Sequence, residues 1–258
     1  MDTIKPYSIS AFFPAFNDAE AISVVLQSAL EVLPRLTDDY EVLVIDDGST
    51  DATAQVLAQF ALTCPELKIV HHARNMGYGA ALRSGFAHST KDLIFYTDGD
   101  GQYDARELST LHECLTGGVD VVNGFKVKRA DQRHREVLGG IYNRLARRLF
   151  RLPIRDVDCD FRLLRRSALE RISLGASSGA ICVELVHKLH TAGCVFAEAP
   201  VTHSPRLHGK SQFFRPRSVA KTMFDFFVLW SKLMLFRRFA SRSAQYRSSI
   251  VEHEPTPE

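Results

Sequence analysis

No run of 18 uncharged apolar residues occurs in the sequence, so nothing in it reads as a complete transmembrane helix. The five cysteines (Cys64, Cys114, Cys159, Cys182 and Cys194) are odd in number, scattered, and lack the close pairing of zinc ligands. That excludes a disulfide framework and a zinc finger, and predicts reduced thiols and a cytosolic compartment. The N-terminus is short and polar before its first apolar run, with no expected signal peptide. There are no internal repeats. Net charge is also small, at +2. That average hides a segregation: Asp and Glu dominate from 38 to 120, whereas Arg, Lys and His dominate from 126 to 151 and from 203 to 247. Basic segments in a balanced chain suggest a polyanionic partner, such as phosphates or an anionic membrane surface.

What is present is a strand-helix alternation. Apolar runs at 9–16, 41–45, 67–71, 93–96, 120–124 and 194–201 predict strands, the first stopped by Pro14. Helical spacing predicts helices at about 19–33, 52–63, 79–89, 105–116 and 180–192, the first capped by Asn17-Asp18. Nearly continuous apolar strands between helices argue for an α/β fold with a mostly parallel sheet covered on both faces. In such sheets ligands bind outside the carboxyl ends of the strands. Polar clusters fall at those ends: Asn17-Asp18, Asp46-Asp47-Gly48-Ser49-Thr50-Asp51, Arg74-Asn75-Met76-Gly77-Tyr78-Gly79 and Asp98-Gly99-Asp100-Gly101-Gln102.

Asp98 and Asp100 lie two apart and can converge on one hard cation. Oxygen ligands in an incompletely filled shell suit Mg²⁺ or Mn²⁺, leaving positions for phosphate oxygens. Alone, Asp-Gly-Asp reads as an acidic turn; the other strand ends weigh against that. Asp104 is expected to cap the helix that follows it.

Taken together and in order, Pro14-Ala15-Phe16-Asn17, Asp46 to Asp51, Asn75 to Ala80 and Asp98 to Gln102 resemble the motifs of family 2 glycosyltransferases. These are GT-A enzymes, a Rossmann-like fold, and the likeness extends to the dolichol- and polyprenyl-phosphate sugar synthases. It covers roughly residues 7–215. The resemblance implies an inverting transfer of a sugar from a nucleotide-diphosphate donor to a polyprenyl phosphate, with a divalent metal on the diphosphate. Asp98 and Asp100 match the metal-binding pair, and Gln102 the residue supporting metal and diphosphate. Pro14, Ala15, Asn17, Glu20 and Asp47 match base and ribose contacts, although Asn17 also suits an N-cap. Asn75, Gly77 and Gly79 match a nucleotide-binding turn in which glycine permits close approach of a ligand. Asp160 matches the acceptor-side acid, positioning sugar hydroxyls or acting as a base, with Asp158 its rival. Arg162 matches a phosphate contact, Lys126 and Arg129 the acceptor-phosphate cations. Arg206, Lys210 and Ser211 match a basic loop closing over the diphosphate.

Residues 1–215 are thus expected to form one GT-A domain, with a donor half at about 7–104 and an acceptor half at about 105–215. A helix with many aromatics follows at 218–238, interrupted by Asp225 and Lys232, then a disordered tail from 241. Where polyprenyl-phosphate members carry two transmembrane helices, this chain shows one interrupted helix. Together with the basic amphipathic stretch at 129–151, it suggests peripheral contact with the cytoplasmic face of a membrane, or else packing on the body of the domain or in a homodimer. The competing readings are a non-catalytic nucleotide- or lipid-binding module, a nucleotidyltransferase, and a glycosyltransferase with a saccharide acceptor. A nucleic-acid binder would explain the basic segments but not the acidic strand ends, which weigh against it.

Overall fold

The structure is a computed structural model, described for residues 7–129, 133–206 and 220–233, with the side chains of 128–138 left out. Seven strands form one sheet: β1 (Ile9–Ala15), β2 (Tyr40–Asp46), β3 (Leu67–His71), β4 (Leu93–Thr97), β5 (Val121–Arg129), β6 (Phe161–Arg165) and β7 (Phe196–His203). The spatial order is β3-β2-β1-β4-β6-β5-β7. β6 runs antiparallel to both its neighbours, β4 and β5, and the remaining pairs are parallel. The helices are α1 (Ala19–Leu36), α2 (Thr53–Ala61), α3 (Tyr78–His88), α4 (Leu108–Cys114), α5 (Arg133–Phe150), α6 (Arg166–Leu169) and α7 (Ala180–Thr191). Residues 220–233 are also helical. This is the α/β sandwich expected from the apolar runs.

Side chains alternate across a strand, and here the two sets find different partners. Ile9, Ala11, Phe13 and Ala15 pack with Ile22, Val25, Leu26, Ala29 and Leu33 of α1 and with Leu57 of α2. Phe12, Leu43, Ile94 and Tyr96 pack on the opposite face with Leu82 and Phe86 of α3 and Ile181, Cys182 and Leu185 of α7. Phe12 stacks on Tyr96 at 5.3 Å and meets Phe86 edge-on at 5.1 Å. Such burial on both faces is why these strands read as unbroken apolar runs. A third cluster joins Ala146 and Phe150 of α5, Ile154, Val183 and Val186 to Phe226 and Leu229 of the 220–233 helix.

Three expectations change. Pro14 does not stop β1 but lies within it, because its carbonyl faces the β4 side and accepts from Gly99. Its missing N–H faces that same side, two residues beyond Phe12↔Tyr96, where the β1–β4 pairing ends. Asp18, at the head of α1, accepts from Phe16 N at 3.3 Å and makes no capping hydrogen bond. The short segment Phe161–Arg165, outside the expected strands, is a strand in the interior of the sheet, between β4 and β5. Among the described residues, no helix is long and apolar enough to cross a membrane. The tail from 241 lies outside the described residues.

Candidate active site

The antiparallel insertion of β6 builds the site. Thr97 pairs with Phe161 and Tyr96 with Arg162, so the next residues outward are Asp98 and Asp160, facing each other where β4 ends and β6 begins. A parallel neighbour would have put its own carboxyl end there instead.

One row of the sheet anchors this juncture. Arg162 pairs with Tyr96 on β4 and Asn123 on β5, and its guanidinium bonds the Tyr96 hydroxyl, Asn123 Oδ1, the Val157 carbonyl and Asp160 Oδ1. The side chain is fully buried. Arg162 therefore does not reach outward to a phosphate in this structure. Four of its five N–H donors are spent inside the wall, and it holds Asp160 at 2.7 Å. Cys182 of α7 donates to the same oxygen at 3.0 Å, its thiol pushed well up by burial and by Asp160. Asp160 Oδ2 has no hydrogen-bond partner among the described residues.

Across from it, Asp98 is half-buried and accepts from the Tyr78 hydroxyl at 2.8 Å. Burial, then Asp160 and Asp100, push its carboxyl well above the ordinary range. Asp160 is paired with Arg162, and the carboxylates of Asp98 and Asp100 beside it call for a further cation. One is present: the Arg206 guanidinium bonds Asp100 and lies 3.6 Å from Asp18. Asp18 rises to about 6, chiefly through burial, although Phe16 N and Arg206 oppose it. The donor set therefore fits a hard divalent cation, with Asp98 and Asp100 as its ligands. No group of three or more His, Cys, Asp or Glu among the described residues is arranged to hold a metal by itself. Such a shell would be completed by ligand oxygens.

The other expected residues divide between this centre and its supports. Gln102 does not point at Asp98; its side-chain amide donates to the Ser204 carbonyl at 3.1 Å, and Ser204 N returns to the Gln102 carbonyl at 2.8 Å. It thus pins the start of the loop that carries Arg206. Lys126 Nζ donates to the Asp158 carbonyl at 2.6 Å and lies 3.4 Å from its carboxylate. That pairing leaves Asp160, not Asp158, opposite Asp98. Asp104 caps the short 3₁₀ turn before α4 by accepting from Arg106 N at 3.0 Å, as expected.

Asp47 is buried and accepts from Met76 N and Gly77 N at 2.9 and 2.8 Å, beside His72 at 2.6 Å. It moulds the 72–77 turn. Asn17, at φ 56°, accepts from Thr50 N at 2.8 Å and so ties β1's end to β2's. Pro14 and Ala15 lie beneath these turns in β1, while Glu20 and Asn75 are exposed. Gly77 and Gly79 permit a close approach, but of the chain itself. A Cβ on Gly79 would stand 2.5 Å from the Ala176 carbonyl oxygen, and one on Gly77 2.8 Å from that of Ser177. The side chain of Arg129, and all of Lys210 and Ser211, lie outside the described residues.

Sequence reasoning missed Tyr78, Cys182 and Asp18 as members of the site. Tyr78 stood inside a quoted motif and Asp18 beside Asn17, but nothing in the sequence marks Cys182.

Residues 10–173, more than half of the chain, match the family model described as Glycosyl transferase family 2. The chain belongs to that family. It is 28% identical over 229 residues to the undecaprenyl-phosphate 4-deoxy-4-formamido-L-arabinose transferase of Pseudomonas fluorescens (strain Pf0-1), covering 86% of this chain and 65% of the relative. It is 29% identical over 169 residues to the putative glycosyltransferase CsbB of Bacillus subtilis (strain 168), covering 66% of this chain and 51% of that protein. The chain therefore spans less than two thirds of the length of these family 2 relatives.

Solved structures share the fold. Glucosyl-3-phosphoglycerate synthase from Mycobacterium tuberculosis, in complex with Mn²⁺, uridine diphosphate and phosphoglyceric acid, superposes with a TM-score of 0.65 at 17% identity, over 87% of this chain and 78% of that one. The mannosyltransferase PcManGT from Pyrobaculum calidifontis, in complex with GDP-Man and Mn²⁺, gives 0.63 at 23% identity, over 86% and 63%.

Proposed function

We propose that this family 2 chain transfers a sugar from a nucleotide-diphosphate donor to a polyprenyl phosphate, with inversion at the anomeric carbon. The observation that carries the reading is the facing of Asp98 and Asp160 across the β4–β6 juncture, with Asp100 and Arg206 beside them. Two poles of charge meet there. Asp98 and Asp100 hold Mg²⁺ or Mn²⁺ on the donor side, and the bound cation supplies charge neutralisation for the leaving diphosphate. The strand-end turns around Ala15, Asn17, Asp47 and Asn75 receive the nucleoside. Donor contacts come largely from before residue 104, with Arg206 added to the diphosphate and Asp160 to the sugar, and acceptor contacts largely from after it.

On the acceptor side Asp160 presents Oδ2 to the sugar hydroxyls, in a position fixed by Arg162 and Cys182. A phosphate acceptor is already an anion, so no proton must be taken from it; Asp160 orients the reacting sugar. Arg206 neutralises Asp100 before ligand enters and is free to turn to the diphosphate afterwards. Lys126 and Arg129 are the residues that the family resemblance assigns to the acceptor phosphate. The polyprenyl acceptor is supported by the name of the Pseudomonas relative, which acts on an undecaprenyl phosphate.

Calorimetry with uridine and guanosine diphosphate sugars, with and without Mn²⁺, tests the donor half. Metal-dependent binding lost in Asp100→Ala is expected. No nucleotide affinity with Mn²⁺ present, or equal binding by Asp100→Ala, would overturn it. Sugar transfer to a short-chain polyprenyl phosphate, read by the configuration of the product, tests the rest.

A further inference from the structure

Several surface cations among the described residues have acidic partners: Lys68 with Glu41, Lys91 with Asp39, Arg106 with Asp104, Arg155 with Glu198, Arg166 with Glu170 and Lys188 with Glu184. Three neighbouring arginines on α5 have none. Arg144, Arg147 and Arg148 are exposed and form no ion pair among the described residues. Their spacing of three and four residues puts them side by side on one helix face, where like charges repel. With Leu152 they line a hollow of about 300 Å³. A triad of guanidiniums around an apolar floor is a site for a phosphate-bearing ligand.

The neighbourhood decides which kind of phosphate. The 220–233 helix lies against α5, with Phe226 packed on Tyr142 at 5.5 Å and on Phe150 at 5.1 Å. Its outward side shows Met223, Phe224 and Phe227, at 45%, 67% and 63% exposure, and Ile141 of α5 is 59% exposed. Lys221 and Lys232 lie on that helix and are likewise exposed and without an ion pair among the described residues. A soluble anion would have no use for the aromatic stripe, and a second copy of this chain would set arginine against arginine if the same face met itself. An anionic lipid surface meets both features: headgroup phosphate for the arginines, acyl boundary for the phenylalanines.

We propose that Arg144, Arg147, Arg148 and Leu152 form a binding site for the phosphate of an anionic phospholipid, and that Phe224 and Phe227 anchor the adjoining helix in the same surface. The site is separate from the carboxylate centre and would hold even if the donor assignment failed.

Co-sedimentation of the full chain with phosphatidylcholine vesicles, and with the same vesicles containing phosphatidylglycerol, tests it. Binding to the second kind only is expected, weakening as salt rises. An Arg144→Gln/Arg148→Gln variant and a Phe224→Ser/Phe227→Ser variant should each lose about ten-fold or more in vesicle affinity. Both should keep the wild-type circular dichroism and Mn²⁺-dependent nucleotide binding in solution, which separates this proposal from the donor reading. No binding to the anionic vesicles, or undiminished binding by the arginine variant, would overturn it. So would inorganic diphosphate bound by the arginines without any vesicle affinity. A light-scattering dimer that dissociates in the phenylalanine variant, without vesicle affinity, would refute it in favour of a second copy.

Discussion

Arg206 is placed where a divalent cation would act, and removing it should have opposite effects on two kinds of binding. Its guanidinium bonds Asp100 and neighbours Asp18, with side-chain exposures of 22% for the arginine, 9% for Asp100 and 12% for Asp18. Pairs so little exposed are weakly screened by solvent, so the contact exceeds the usual surface salt bridge. A hydrogen bond to a charged group contributes about 1.5–3 kcal/mol. A metal approaching Asp100 must displace it, so Arg206→Ala should tighten Mn²⁺ binding in the absence of nucleotide by roughly 10–100-fold. Titration of the Mn²⁺ paramagnetic resonance signal reads that affinity directly. Arg206→Lys keeps the charge and should lie between the two. With Mn²⁺ saturating, the same Arg206→Ala variant should bind nucleoside diphosphate more weakly, because the loop's cation is then missing from the diphosphate. Unchanged or weaker Mn²⁺ binding in Arg206→Ala would refute the reasoning.

Three further outcomes are expected. Asp18 is raised from 3.8 to about 6 by burial, so its stabilising protonation is complete below 3.8 and lost as pH rises through 6. Asp18→Asn should therefore stabilise the fold by roughly 2 kcal/mol at about pH 8 and have little effect at about pH 4, read by thermal melts. Burial would raise Glu41, but Lys68, Ser10 and Thr90 outweigh it and hold the carboxyl at about 2. That contribution is present above the unfolded value of 4.5 and lost as pH falls through 2, and Glu41→Gln should cost roughly 3 kcal/mol in urea melts at neutral pH. Gly79→Ala should cost about 1–3 kcal/mol of stability by pushing the Ala176–Ser177 backbone off α3. A variant that melts like wild type would return Gly79 to the role of ligand contact.

The heart of the sheet was legible because β1, β2 and β4 are buried on both faces. Val42 to Ile45 and Leu93 to Phe95 leave no polar side chain to confuse the period. Since each such strand ends in a polar turn, the donor side could be read as well. β6 was not legible: it is five residues long, and Arg162 within it reads as a surface cation. Its partners, Tyr96 and Asn123, lie 66 and 39 positions away. Charge can be read from a residue, but burial depends on what the fold brings to it. For the same reason Gly77-Tyr78-Gly79 suggested a ligand's approach, when the body that approaches is the 176–177 segment.

The insertion of β6 between β4 and β5 also bears on how the chain comes to be folded. β3, β2, β1 and β4 are contiguous before residue 98 and can pair during synthesis as one parallel unit. The free side of β4 then stays open until Phe161–Arg165 has been made, and β5 can join only through β6. An unpaired apolar edge is a template for association with other chains. The strand that brings Asp160 to Asp98 is thus also the one whose arrival ends that exposure, so truncation before residue 165 should leave an aggregating fragment rather than a working donor half.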